Sequence, residues 1–193
     1  MNKFKEIVHK LFATWLWLII PLIALDQATK MAAHFNEWNI TLIPNFLYLT
    51  YTRNTGGAWS ILSGNMAFLA VISAVAFIVI FLFYLKNLMK QNTLKRILFA
   101  VILAGTLGNF IDRAFYKLFL GSEGVVDFIH FRFGTYDFPI FNVADILLTV
   151  GIITFGVLIT VEDFKNKKLS ANASEIEEGN TDEHNQDSKR SEE

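Results

Sequence analysis

The chain has 193 residues, 53% of them hydrophobic, and a mean hydropathy of +0.38, which excludes a disordered chain and argues against an ordinary soluble domain. It has no Cys, so disulfides, thiol catalysis and thiolate metal sites are excluded, and a net charge of -1 names no partner by itself. Its His residues (His9, His34, His130, His184) are scattered without metal-ligand spacing, so no metal and no other cofactor is expected, nor a nucleic-acid partner.

A membrane span needs about 20 mostly apolar residues. Four windows satisfy this, at about residues 11–33, 66–85, 97–114 and 138–161. The first follows Lys3, Lys5 and Lys10 and resembles a signal peptide in outline. It lacks a small-x-small cleavage site and is read as an uncleaved span. Lys and Arg flanks set orientation. Lys3, Lys5 and Lys10, then Lys86, Lys90, Lys95 and Arg96, then Lys165, Lys167 and Lys168 all fall on one side of an alternating four-span frame. Both termini are therefore expected in the cytoplasm, and the connections at about 34–65 and 115–137 face outward.

The first outward connection carries Phe46-Leu47-Tyr48-Leu49-Thr50-Tyr51-Thr52 and then the turn signal Asn54-Thr55-Gly56-Gly57, which predicts a small β-structure on the membrane surface. The second is amphipathic around Gly121-Ser122-Glu123-Gly124 and predicts a short interfacial helix followed by a mobile loop. The membrane unit is taken as residues 1–168. The remainder, 169–193, holds Glu175, Glu177, Glu178, Asp182, Glu183 and Asp187 with almost no apolar residues, and is expected to be a disordered acidic tail.

Carboxylates are the most informative residues. Asp145 is the only charge between Phe138 and Val161. A carboxylate inside a span costs roughly 2.5–3.5 kcal/mol on insertion scales, so it is normally kept for function. Asp127 lies in Val125-Val126-Asp127-Phe128 of the second outward connection. Asp26 and Lys30, Asn109, Asp112 and Arg113, and Asn142 all map to the outward half of their spans, and Asn54 to the outward segment. Convergence on one depth argues for a site. Asn142 and Asp145 are three apart on one helical face, and Asn109 shares a face with Asp112 and Arg113. Blander roles stay open: a helix ion pair for Asp26 and Lys30, snorkelling or pairing with Asp112 for Arg113, turn chemistry for Asn54, and interhelical hydrogen bonds for Asn109 and Asn142. Two carboxyls in a poorly solvated site cannot both ionise easily, and such a pair sharing a proton activates water in aspartic proteases.

These residues carry a family resemblance. Asp26-Gln27-Ala28-Thr29-Lys30, Asn54-Thr55-Gly56-Gly57-Ala58-Trp59-Ser60, Gly105-Thr106-Leu107-Gly108-Asn109-Phe110-Ile111-Asp112-Arg113, Val125-Val126-Asp127-Phe128 and Phe141-Asn142-Val143-Ala144-Asp145 occur in that order over about residues 20–150. Together they resemble lipoprotein signal peptidase (signal peptidase II), a bacterial intramembrane aspartyl peptidase. The resemblance implies a four-span α-helical membrane protein with a periplasmic β-cradle and a short periplasmic interfacial helix. It implies Asp127 and Asp145 as the catalytic dyad. Asn54, Gly57, Asn109, Arg113 and Asn142 would line the substrate and inhibitor site, and Asp26, Lys30 and Asp112 would be structural polar residues. The implied activity is removal of the signal peptide from diacylglyceryl-modified prolipoproteins, cutting before the lipidated Cys. The implied setting is the bacterial cytoplasmic (inner) membrane, with the active site near the outer face, membrane lipid around a monomer, and globomycin-type cyclic peptides as inhibitors. Trp59 stands where that family often has Phe, and the acidic tail lies outside the resemblance. The competing reading is a small proton-coupled carrier, but such a carrier needs a polar path through the membrane, and the inner halves of these spans are apolar.

Overall fold

The computed structural model describes residues 12–56, 65–87, 92–121 and 124–190. The chain divides into two compact units, Met1–Ile152 and Ile153–Glu193.

A 3-10 turn at Leu16–Leu18 leads into α1 (Ile19–Phe35). Pro21 falls in the first turn of α1, where a missing N–H costs no helical hydrogen bond. Helix α2 (Met66–Asn87) is almost wholly apolar, as a lipid-embedded helix should be, with Ser73 as a buried exception. Helix α3 (Thr93–Leu120) is capped at its start by the Asn92 side chain, which accepts from the Lys95 N–H at 2.9 Å. It stops at Gly121, whose φ of 66° is the left-handed conformation that glycine adopts cheaply. Helix α4 runs from Val143 to Arg190. Among the described residues, four helical segments are long and apolar enough to cross a membrane: Leu16–Phe35, Met66–Asn87, Thr93–Leu118 and Val143–Ser170.

Helix α3 is the centre of the first unit. Its apolar window is 56% buried, against 17% for the first segment and 22% for the second, and both α1 and α2 pack on it. Gly105 permits its close approach to α4. A Cβ on Gly105 would lie 2.6 Å from the Ala144 carbonyl oxygen and 2.8 Å from the Leu148 nitrogen, so no other residue fits without moving a helix.

The strands β1 (Asn39–Ile43), β2 (Leu47–Asn54), β3 (Val125–Phe133) and β4 (Tyr136–Asp137) form one antiparallel sheet in the order β1-β2-β3-β4. Asn45, at φ 60°, closes the β1–β2 hairpin, and Gly134, at φ 64°, lies between β3 and β4. The sheet is fastened to the helices by a cluster of Ala33, Tyr116, Val126 and Phe128, with Trp38 edge-on to Phe128 at 5.4 Å. Burying side chains of this size stabilises by about 1.5–3 kcal/mol each, which holds β3 in place over α1 and α3.

Several expectations change. Among the described residues of 115–137 there is no separate interfacial helix: α3 continues to Leu120, and the segment from Val125 to Phe133 is a strand of the same sheet. The alternation of Val125, Asp127, Ile129 and Phe131 with their neighbours is strand-like once β2 is present to pair with. The fourth span starts at Val143, not at 138. Pro139 disfavours helix at the residue before it, and Phe141 instead makes a bridge to Ile129, with N–H···O distances of 2.8 and 3.1 Å. The tail expected to be disordered from 169 is helical in backbone as far as Arg190. Once a long helix is nucleated each further residue adds a hydrogen bond at little cost, and Ala171, Ala173, Glu175, Glu177 and Glu178 have good helix propensity. Gly57, Trp59, Ser60, Ser122 and Glu123 lie outside the described residues, so the mobile-loop expectation does too.

Candidate active site

Three local structures build the site. The first is the start of α4. Asn142 sits at its N-cap and Asp145 three residues on. The Asn142 Oδ1 accepts from the Asp145 N–H at 3.0 Å, while the Asp145 Oδ2 accepts from the Asn142 N–H at 3.1 Å. This reciprocal arrangement is a capping box, and it locks the Asp145 carboxylate to the positive end of the helix. The second is β3, which carries Asp127 into the interior at 2% exposure, paired in register with Thr52 of β2. The bridge between Ile129 and Phe141 then sets the α4 start beside β3. The third is the inner face of α3, with Asn109 and Arg113 one turn apart.

Side-chain amides join the two carboxylates. Asn142 Nδ2 donates to Asp127 Oδ1 at 2.6 Å and to Asn109 Oδ1 at 3.2 Å. Asn109 Nδ2 donates to Asp145 Oδ1 at 2.7 Å. Asn54 both closes its turn, accepting from the Gly56 N–H at 3.0 Å, and hydrogen-bonds Asp127. Burial, and after it the charge of Asp145, pushes the Asp127 carboxyl up to about 7, against the hydrogen bonds from Asn142 and Asn54. At neutral pH Asp127 is therefore poised to hold or release a proton.

Both carboxylates open onto one cavity of about 510 Å³, which Asn54, Asn109 and Arg113 also line. Its remaining wall is apolar, with Phe138, Phe141, Ile146 and Val150 among its residues. Arg113 donates through Nη1 to Ser73 Oγ of α2 at 2.8 Å, and its buried Nε has no partner among the described residues. An unsatisfied buried donor is costly, and one that borders a cavity fits an acceptor brought in by a ligand.

Asp26, Lys30 and Asp112 do not line the cavity; they sit behind it, all with side chains at 0–1% exposure. Lys30 Nζ lies 2.8 Å from Asp26 Oδ2 and 3.0 Å from Asp112 Oδ2. Asp26 Oδ1 accepts from the Ala144 N–H at 2.8 Å, which ties α1 to the first turn of α4. The ion pair is thus more than an i,i+4 helix contact.

The sequence did not single out Gln27, Ser73 or Tyr116. Gln27 Nε2 donates to Asp112 Oδ1 at 2.9 Å and its Oε1 accepts from the Tyr116 hydroxyl at 3.1 Å. Ser73 is a polar residue in an otherwise apolar stretch of α2, a signal available in sequence, whereas Tyr116 gave none because its partner is 89 residues away. Among the described residues no His, Cys, Asp or Glu group is arranged to hold a metal ion.

Fold and site together define a polytopic membrane protein whose helices and surface sheet converge on a cavity lined by two carboxylates. The family model for signal peptidase (SPase) II matches residues 18–161. The chain is 42% identical over 152 residues to the lipoprotein signal peptidase of Staphylococcus haemolyticus, covering 77% of this chain and 91% of that one. It is 42% identical over 155 residues to that of Listeria monocytogenes, covering 79% and 96%. Two solved structures of a bacterial membrane enzyme superpose with TM-scores of 0.68 and 0.63, each at 36% identity, covering 80% and 76% of this chain and 91% and 92% of theirs. The chain belongs to the lipoprotein signal peptidase (signal peptidase II) family. It is accordingly a multi-pass membrane protease that removes signal peptides from lipoproteins, and the carrier reading is set aside.

Proposed function

We propose that the chain is an aspartyl endopeptidase in which Asp127 and Asp145 jointly activate water. The observation that carries this reading is the sharing of one amide pair, Asn109 and Asn142, by two carboxylates that border one cavity. In the reaction one carboxylate takes a proton from a water held between the pair. The resulting oxygen nucleophile attacks the scissile carbonyl carbon, and the protonated partner stabilises the oxygen as it becomes negative. When the tetrahedral intermediate collapses, the leaving amine takes back a proton and the C–N bond breaks. The pair needs no metal for these steps.

The substrate of this reading is a diacylglyceryl-modified prolipoprotein, cut before the lipidated Cys. The apolar wall of Phe138, Phe141, Ile146 and Val150 suits a lipid chain beside the polar centre. The unpartnered Arg113 Nε suits a peptide carbonyl, and Asn54 and Gly57 stand on the same first outward segment. A globomycin-type cyclic peptide would occupy the same cavity. The Lys and Arg flanks support cytoplasmic termini in the bacterial inner membrane and an active site toward its outer face. A monomer is the assembly this reading takes.

The test is cleavage of a diacylglyceryl-modified prolipoprotein by purified protein in detergent, comparing wild type with Asp127→Asn and Asp145→Asn. Each variant should lose about 10²–10⁴-fold in rate, the usual effect of removing a proton-transfer group. Near wild-type cleavage by either folded variant would defeat the dyad.

A further inference from the structure

Behind the cavity the buried Lys30 has a third contact that no ion-pair role explains. Its Nζ reaches Asn109 Oδ1 at 3.2 Å. Asn109 is the residue whose other amide atom holds Asp145. We propose that Lys30 is a positioning residue for the reaction: it fixes which way the Asn109 amide points and so makes Asp145 the member of the pair that takes the proton from water. The inference rests on the aspartyl reading above.

An ammonium has only donors, and so does the Nδ2 of Asn142. The Asn142 amide cannot turn, because its Oδ1 is committed to the Asp145 N–H in the capping box. Two donors, Lys30 Nζ and Asn142 Nδ2, therefore converge on the same side of Asn109, each at 3.2 Å, and require its oxygen there. Its Nδ2 is thereby turned to Asp145 Oδ1 at 2.7 Å. With the amide reversed, an N–H group would meet two donors, and an oxygen would meet the Asp145 carboxylate. That second contact is tolerable only with the proton on Asp145.

In the observed orientation both Asp145 oxygens accept hydrogen bonds, one from Asn109 Nδ2 and the other from the Asn142 N–H, so the carboxylate is held as an acceptor facing the cavity. Asp127, raised to about 7, is left as the proton donor to the developing oxyanion. Lys30 itself is held by Asp26 from its own helix and Asp112 from α3, and its charge also acts on Asp127 of β3. Lys30 is absent from the cavity lining, so it acts on substrate through other residues, and Asn109 is the one that touches both Lys30 and Asp145.

The test is a double-mutant cycle on the full chain in detergent, with Lys30→Met, Asn109→Ala and both together, read as kcat and KM on the lipidated prolipoprotein. The expected result is a fall in kcat of about tenfold or more for Lys30→Met with KM within about twofold, and no further fall when Lys30→Met is added to Asn109→Ala. Multiplicative losses, or a loss confined to KM, would overturn the proposal. Lys30→Met leaves two buried carboxylates without their cation. Should it not fold, infrared spectra of wild type, Asp127→Asn and Asp145→Asn at about pH 5 decide. A protonated-carboxyl band lost in Asp127→Asn and kept in Asp145→Asn supports the assignment, since burial is the larger cause of the Asp127 shift. Loss of the band only in Asp145→Asn overturns it. Retained cleavage in the two Asn variants would instead sink the dyad itself, which separates the two failures.

Discussion

Replacing Asp127 by Asn should make the protein more stable in alkali than the wild type. Asp127 titrates near 3.8 when exposed to water and near 7 in the fold, chiefly because it is buried and then because Asp145 is charged. Between those values the folded state binds more protons than the unfolded one, so the unfolding free energy falls as pH rises. The contribution is fully present below about 3.8 and has been lost once the pH has passed through 7. At 1.36 kcal/mol per pH unit the displacement corresponds to about 4 kcal/mol. Asn is neutral at every pH, and its Oδ1 can still accept the Asn142 amide, so it imitates the protonated acid and carries none of this loss. Thermal unfolding in detergent, followed by Trp fluorescence, should therefore show the two proteins close together near pH 4. The variant should be ahead by up to about 4 kcal/mol near pH 8.5, which is roughly 8–16 °C in Tm for a domain of this size. Melting curves that shift in parallel across that range, or a variant less stable at pH 8.5, would refute the assignment of burial and charge repulsion to Asp127. Such a result would also remove the reason for regarding it as the proton donor.

Gly108→Ala puts a Cβ 2.6 Å from Asp26 Oδ2 and 3.0 Å from Ala144 Cβ, and should destabilise by about 1–3 kcal/mol in the same melting assay. Gly105→Ala meets backbone atoms of α4 and should cost at least as much. It should also slow cleavage, because α4 carries Asp145 away from Asn109 on α3. Asn142→Ala loses the helix cap, worth about 1 kcal/mol, yet should depress cleavage by at least about tenfold, since Asp127 loses its amide donor and Asn109 loses a donor that fixes its orientation toward Asp145. A variant as active as wild type would show that the amide bridge is dispensable.

How much of this was legible in the sequence depended on the range of the interaction. The four spans were legible because a bilayer demands long apolar runs, and α2 supplies one with no charge from Met66 to Leu85. Strand β2 was visible from its aromatic and β-branched residues and the Asn-Thr-Gly-Gly turn. Its neighbour β3 was missed, because its pairing partner lies some 75 residues earlier and its local pattern reads equally as amphipathic helix. The start of α4 was misplaced for a related reason: hydropathy counts Phe138 to Phe141 as apolar, while Pro139 and the pairing of Phe141 with Ile129 make them extended. Site residues were legible wherever burial makes a polar side chain expensive, which is why Asp145, Asn142, Asn109 and Asp26 stood out before any geometry was known.

What spacing could not reveal is that one pair of residues performs two tasks. Asn142 and Asp145 three apart read as residues on one helical face, a substrate-site amide beside a catalytic carboxylate. In the fold they are also the N-cap and N3 residues of α4, each satisfying the other's backbone N–H. The helix therefore begins at the carboxylate proposed to react, and one oxygen of Asp145 is engaged by that cap while the other faces Asn109. A carboxylate free to rotate would need to be ordered at each turnover. Here the same hydrogen bonds that start a membrane helix hold the carboxylate at the cavity wall, so its orientation is set when the helix folds rather than when substrate arrives.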